Sequence, residues 1–195
     1  MMRHPLVDPG TLERWLTLSR SPAIDRAIRA LHTEIAERVA GARPVCTASA
    51  RCCHFERVGH DLFVTGLEAA WTLDRIPSDR AICVVDVEAS RSRGDCPFLV
   101  GVGPVGACGV HPARPAGCRV YFCDPTRERF VQDLAEHAAV RVRELHGEFD
   151  VPYLYAEWRG LLMAFARAGV AAAPGSPAAF APADPFVSLT RGGSA

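Results

Sequence analysis

The sequence predicts a mostly α-helical domain with short β-strands, an α+β fold whose helices wrap around two cysteine-bearing, metal-binding loops. Three observations lead there. Apolar residues recur at helical spacing in four segments, three of them opened by a cap signal; a single short run is β-branched; and seven of the eight cysteines lie between the helical segments. At 195 residues and 49% hydrophobic, the chain suits one domain with a core of its own. We assign that single cysteine-cluster domain to residues 1–170, with its cysteine core at 46–123. The Pro/Ala/Gly-rich remainder, 171–195, has no periodicity and is expected to be a flexible tail.

Ser21-Pro22 reads as an N-cap followed by proline at the first helical position, and Ile24, Ile28, Leu31, Ile35 and Val39 then repeat at helical spacing until Gly41. Thr65-Gly66-Leu67-Glu68 has the capping-box form and opens a short helix that runs to about Ile76, before Pro77. The β-branched run AICVVDV, 81–87, is the best strand candidate. Cys83 lies inside it and is expected to pack in the core, as buried free cysteine often does. Asp124-Pro125 repeats the cap-then-proline signal ahead of Val131, Leu134, Ala138, Val142 and Leu145. A last helix is expected after Asp150, through Tyr155, Trp158, Leu162 and Phe165 to Gly169.

Composition excludes several classes of function. Formal net charge is zero, all 22 basic residues are arginine, and they are spread among as many acids, so no nucleic-acid partner is expected. The N-terminus MMRHPLVDPGTLERWL has no apolar segment of the signal-peptide kind, and no window approaches a membrane span, so the expected location is cytoplasmic, without a membrane. In that compartment thiols stay reduced, and a cysteine pattern points to metal or catalysis more than to disulfides.

The cysteines fall into two groups, Cys46, Cys52 and Cys53, then Cys96, Cys108, Cys118 and Cys123. Neither loop carries enough apolar surface to order itself. Thiolate–metal bonds that form only in the folded state would offset that ordering entropy, which makes all seven thiols candidate metal ligands. Adjacent residues of an extended backbone point in different directions, so only one of Cys52 and Cys53 is expected to join a given cluster.

These residues resemble the YkgJ-like cysteine-cluster family of zinc- or iron-chelating domains. Its pattern of a CxxCxxCC element, a CPFL segment and a CxIYxxRPxxCR element with a further cysteine is matched by Cys52-Cys53, by Cys96 to Leu99, by CGVHPARPAGCR at Cys108 to Arg119, and by Cys123. The resemblance covers roughly residues 46 to 123 and departs at two places. Ser49 stands where the family has its second cysteine, and Val110-His111 replaces the usual Ile-Tyr. A serine hydroxyl rarely substitutes for thiolate toward soft metals, so one ligand position is lost or peripheral.

The resemblance implies a metal centre, and ligand preferences choose among metals. With Ser49 the chain has no C-x2-C knuckle of the kind zinc commonly takes, whereas iron–sulfur clusters accept irregular spacing. Flagellin lysine N-methylases, whose cysteine arrangement is related, are associated with a [4Fe–4S] cluster, so the expected cofactor is 4Fe-4S, with zinc as the alternative. Arg114 and Arg119 flank the second loop and are expected to serve the cofactor by donating hydrogen bonds to its sulfurs, or else to bind an anionic substrate. His111 and Tyr121 are the acid–base candidates near the thiols. The expected function is redox chemistry, electron transfer or cluster-assisted catalysis with a redox partner protein or a protein substrate. The alternatives are a zinc-stabilised adaptor and, more weakly, a methyltransferase-like enzyme, for which the chain lacks a glycine-rich nucleotide loop and a CxxxCxxC radical motif.

Overall fold

A computed structural model describes residues 7–46, 49–76, 81–101 and 106–169; the expected tail at 171–195 lies outside the described residues. The element order is α1 Pro9–Ser19, α2 Pro22–Ala42, α3 Phe55–Val58, β1 Phe63–Thr65, α4 Gly66–Leu73, α5 Val84–Arg93, β2 Leu99–Val100, β3 Ala107–Cys108, α6 Ala116–Arg119, α7 Glu128–Glu148, β4 Tyr155–Glu157 and α8 Trp158–Arg167. The predicted α+β class holds: helices dominate, and the strands form two small antiparallel pairs. Among the described residues no helix is long and apolar enough to cross a membrane.

The helix starts follow local chemistry. Asp8 accepts a hydrogen bond from Thr11 N at 2.9 Å and precedes Pro9, so α1 opens with the same cap-then-proline signal as α2, although periodicity had not singled it out. At α4 the capping box is complete, with Thr65 Oγ1 accepting from Glu68 N and Glu68 Oε2 accepting from Thr65 N. Asp124 caps a 3-10 turn, Pro125–Arg127, that leads directly into α7.

Two strand-to-helix corners stand side by side. β1 pairs with β4 in the register Phe63↔Glu157, Val64↔Ala156, Thr65↔Tyr155. Each strand runs straight into a helix, α4 or α8, and each helix start is tied to the other unit: Gly66 N donates to Leu154 O and Trp158 N donates to Leu62 O. The larger core fills the space beneath, around the buried Trp15, Trp71, Trp158 and Phe165. Gly66 is required there, because a Cβ would lie 2.3 Å from the Trp15 ring. A second cluster joins α2 to α7 through Leu31, Ile35, Val39, Leu134, Ala138 and Val142.

Three expectations are corrected. Residues 84–87 of the β-branched run belong to α5, not to a strand. Cys83 is its N-cap, Asp86 Oδ2 accepts from Cys83 N at 2.9 Å, and Val87 is buried while Val85 is 70% exposed. A burial period that skips Val85 is helical, and end-capping by Asp86 outweighs the weak β preference of valine. Cys83 is therefore exposed and not a core residue. The last helix begins later than expected, because Tyr155 lies in β4 and Glu157 caps α8 by accepting from Arg159 N and Gly160 N.

Candidate functional site

Three chain segments meet beside the larger core and bring five thiols with them. Ala50, at a left-handed φ of 52°, swings the chain into the 3-10 turn Arg51–Cys53. Cys96 N donates to Cys53 O at 2.7 Å and Glu56 N to Gly94 O at 3.0 Å, which lashes the first loop to the second. The β2–β3 pair then sets Leu99 opposite Cys108, with Leu99 N donating to Cys96 O. The third segment hangs from α4: Thr72 Oγ1 donates to Ala113 O, and Glu68 Oε1 accepts from Ala116 N at 3.0 Å. That contact places the short α6 and its Cys118.

The sulfurs pack onto Cys53. Its thiol lies within hydrogen-bonding reach of Cys108, Cys52 and Cys96, contacts that hold its own proton firmly. Cys52 is acidified to about 6, first by the hydrogen bond from Cys53 and further by the positive charge of Arg114. Cys108 is lowered to about 7, again mainly by Cys53. Cys53 has one hydrogen to donate, so it favours one of these two thiolates at a time. Cys118 is pushed well up by burial, then by the charges of Cys96 and Cys108. The Cys52 and Cys53 thiols interact with each other, because a 3-10 turn does not splay neighbouring side chains as an extended strand does. Among the described residues no three His, Cys, Asp or Glu side chains enclose a metal-sized position.

The two arginines differ. Arg119 donates from Nε to Arg114 O at 3.0 Å and from Nη2 to Pro112 O at 2.6 Å, clasping the turn that holds His111. Arg114 Nε is buried without a hydrogen-bond partner, while its charge acts on Cys52, Cys108 and Cys118. A guanidinium whose buried Nε has no acceptor therefore stands beside thiols that gain from a cation. Arg114→Gln is expected to raise the pH at which Cys52 and Cys108 ionise in metal-free protein, read by thiolate ultraviolet absorbance or alkylation rate. An unchanged profile would show that Arg114 does not act on them.

The other predicted ligands lie at the rim. Cys46 is exposed and Cys123 half-buried; Cys123 is raised by burial and also feels the charges of Arg51, Cys52 and Cys46. Tyr121 stacks on His60 with ring centroids 4.6 Å apart, and burial raises its pKa. Ser49 is half-buried just ahead of Ala50. Cys83 caps α5, at the edge of an open cleft of about 420 Å³ lined by Ile82, Asp86, Arg93 and Phe98.

Two structural supports were not anticipated. His54 Nδ1 and Asp95 Oδ1 are 2.7 Å apart, and these residues directly follow Cys53 and precede Cys96. The dyad fastens the two loops together. Glu68, anticipated only as a cap, reaches through the core to the third segment. Compared with known proteins, the chain matches no family model, and no curated protein or solved structure matches it significantly, so the cysteine-cluster resemblance rests on the residues quoted above.

Proposed function

We propose that the chain is a thiolate-ligated metal-binding protein, its centre built from Cys52, Cys53, Cys96, Cys108 and Cys118. The observation that carries this is the convergence of five thiols from three segments beside the unpartnered Arg114 Nε. An all-sulfur donor set suits iron–sulfur clusters and zinc and is poorly matched to hard cations. Four of the five thiols would hold the group, and Arg114 Nε would donate to a sulfur.

As an iron–sulfur centre the group supplies one-electron redox chemistry, which fits an electron-transfer or redox role. The residues' part is to hold negative charge in a largely buried place, with Arg114 offsetting it and Glu68 and Arg119 fixing the backbone that carries Cys118 and Arg114. Arg114→Gln is expected to weaken metal retention about 10–100-fold, in line with other residues one step removed from a metal. Competition with a chelator measures this.

The same all-thiolate donor set fits a second reading, a structural zinc held tetrahedrally by four cysteines. Metal and acid-labile sulfide analysis of anaerobically isolated protein decides between them. Iron with sulfide and an absorbance band that bleaches on reduction supports the first; one zinc per chain without sulfide supports the second. Folded protein that holds no metal and takes up neither iron plus sulfide nor zinc overturns both.

A further inference from the structure

We propose that Cys46 and Cys123 form a second, metal-independent site, a rim dithiol that closes to a reversible disulfide by exchange with a low-molecular-weight disulfide such as oxidised glutathione. This rests on the metal reading only in assigning the two thiols that the five-thiol centre leaves over.

The two segments are pinned next to each other. Val45 N donates to Asp124 Oδ2 at 2.9 Å, a bond between the immediate neighbours of the two cysteines. Asp124 is itself fixed, since its other oxygen accepts from Thr126 N at 3.0 Å and Thr126 Oγ1 at 2.7 Å. That contact holds the two segments together one residue from each cysteine, and a bridge then needs the two Cα atoms within about 7 Å. The charge of Cys46 also reaches Cys123. Access singles out Cys46, which is exposed; Cys123 is half-buried, as are Cys52, Cys108 and Cys118, whereas Cys53 and Cys96 are each only 5% exposed. An incoming disulfide meets Cys46 before Cys123.

The exchange balances without a further oxidant. The Cys46 thiolate attacks one sulfur of oxidised glutathione, the S–S bond breaks, and one glutathione thiolate leaves. Cys123 sulfur then attacks the Cys46 sulfur of the mixed disulfide and expels the second glutathione. Two protein thiols are oxidised, one disulfide is reduced to two thiols, and the two protons lost by the protein end on them. The closed ring runs from the end of α2 to the turn before α7 and encloses all five inner cysteines. It is a latch on the loop that carries Cys52 and Cys53.

The test is peptide mapping of anaerobically isolated full-length protein after incubation with oxidised glutathione and alkylation. Cleavage after Arg51 and after Arg119 puts Cys46 and Cys123 on peptides of their own. The expected result is one disulfide within the chain, Cys46–Cys123, and unchanged metal content. In Cys123→Ser, Cys46 should stop at the mixed disulfide. Linkages among the five inner cysteines formed in preference, or glutathionylated Cys46 beside a free Cys123 in the parent protein, would overturn the proposal. Loss of metal in Cys46→Ser or Cys123→Ser would overturn it too, while leaving the metal reading intact with more ligands. A Cys46–Cys123 linkage in protein that binds no metal would uphold this site and sink the metal reading alone.

Discussion

Cys53→Ser is expected to empty the centre and destabilise the fold more than any other single cysteine change. Cys53 is the thiol on which Cys52, Cys96 and Cys108 pack, it is 5% exposed, and its carbonyl receives Cys96 N. A structural metal contributes on the order of 10 kcal/mol to folding, so losing one ligand should remove several kcal/mol. At about 2–4 °C per kcal/mol for a chain of this size, Tm should drop by about 10 °C or more. Cys96→Ser and Cys118→Ser should act in the same direction. Cys83→Ser should leave metal content and Tm unchanged, since Cys83 is exposed at the start of α5. Metal analysis beside thermal melts of the four variants checks this, and a Cys53→Ser protein with full metal content would refute the assignment.

Glu68→Ala is expected to cost about 2–5 kcal/mol, because it strands buried donors, each worth about 1–3 kcal/mol when unsatisfied. Glu68 accepts from Thr65 N and Thr65 Oγ1 through one oxygen and from Ala116 N through the other, so both the start of α4 and the placement of Cys118 depend on it. Metal retention should fall along with stability. The pH dependence has a definite sign. Burial raises the Glu68 pKa against the pull of its hydrogen bonds, so the folded state binds this proton more tightly than the unfolded chain does. The resulting contribution is fully present below the unfolded value of about 4.3 and is lost as pH rises through the higher folded pKa. Denaturation midpoints should therefore show the parent losing stability relative to Glu68→Gln as pH rises through that window. A constant difference would mean that Glu68 does not titrate anomalously.

The sequence carried those parts of the fold that rest on local chemistry. α2, α4 and the run into α7 each have a cap and an apolar period within one stretch, and each lies where those signals put it. α1 carried the same Asp-Pro signal and was readable on that ground. α5 was not, since cysteine is an unusual N-cap and the valines that follow favour strands when taken alone. At the site, the thiols and Arg114 were visible as spacing, but their division into an inner five and a rim pair depends on three-dimensional contacts. The His54–Asp95 dyad spans 41 positions and exists only because backbone bonds bring Gly94–Cys96 against Cys53–Glu56. The reach of Glu68 to Ala116, across 48 positions, is of the same kind.

If thiols from three separate segments ligate one metal centre, X-ray absorption at the edge of the metal carried by the anaerobically isolated protein will show a first shell dominated by sulfur at about 2.3 Å, with a metal–metal distance added for an iron–sulfur cluster and absent for zinc. A first shell of oxygen and nitrogen, or a sulfur shell that persists when Cys53, Cys96 and Cys118 are all replaced by serine, would contradict that ligation.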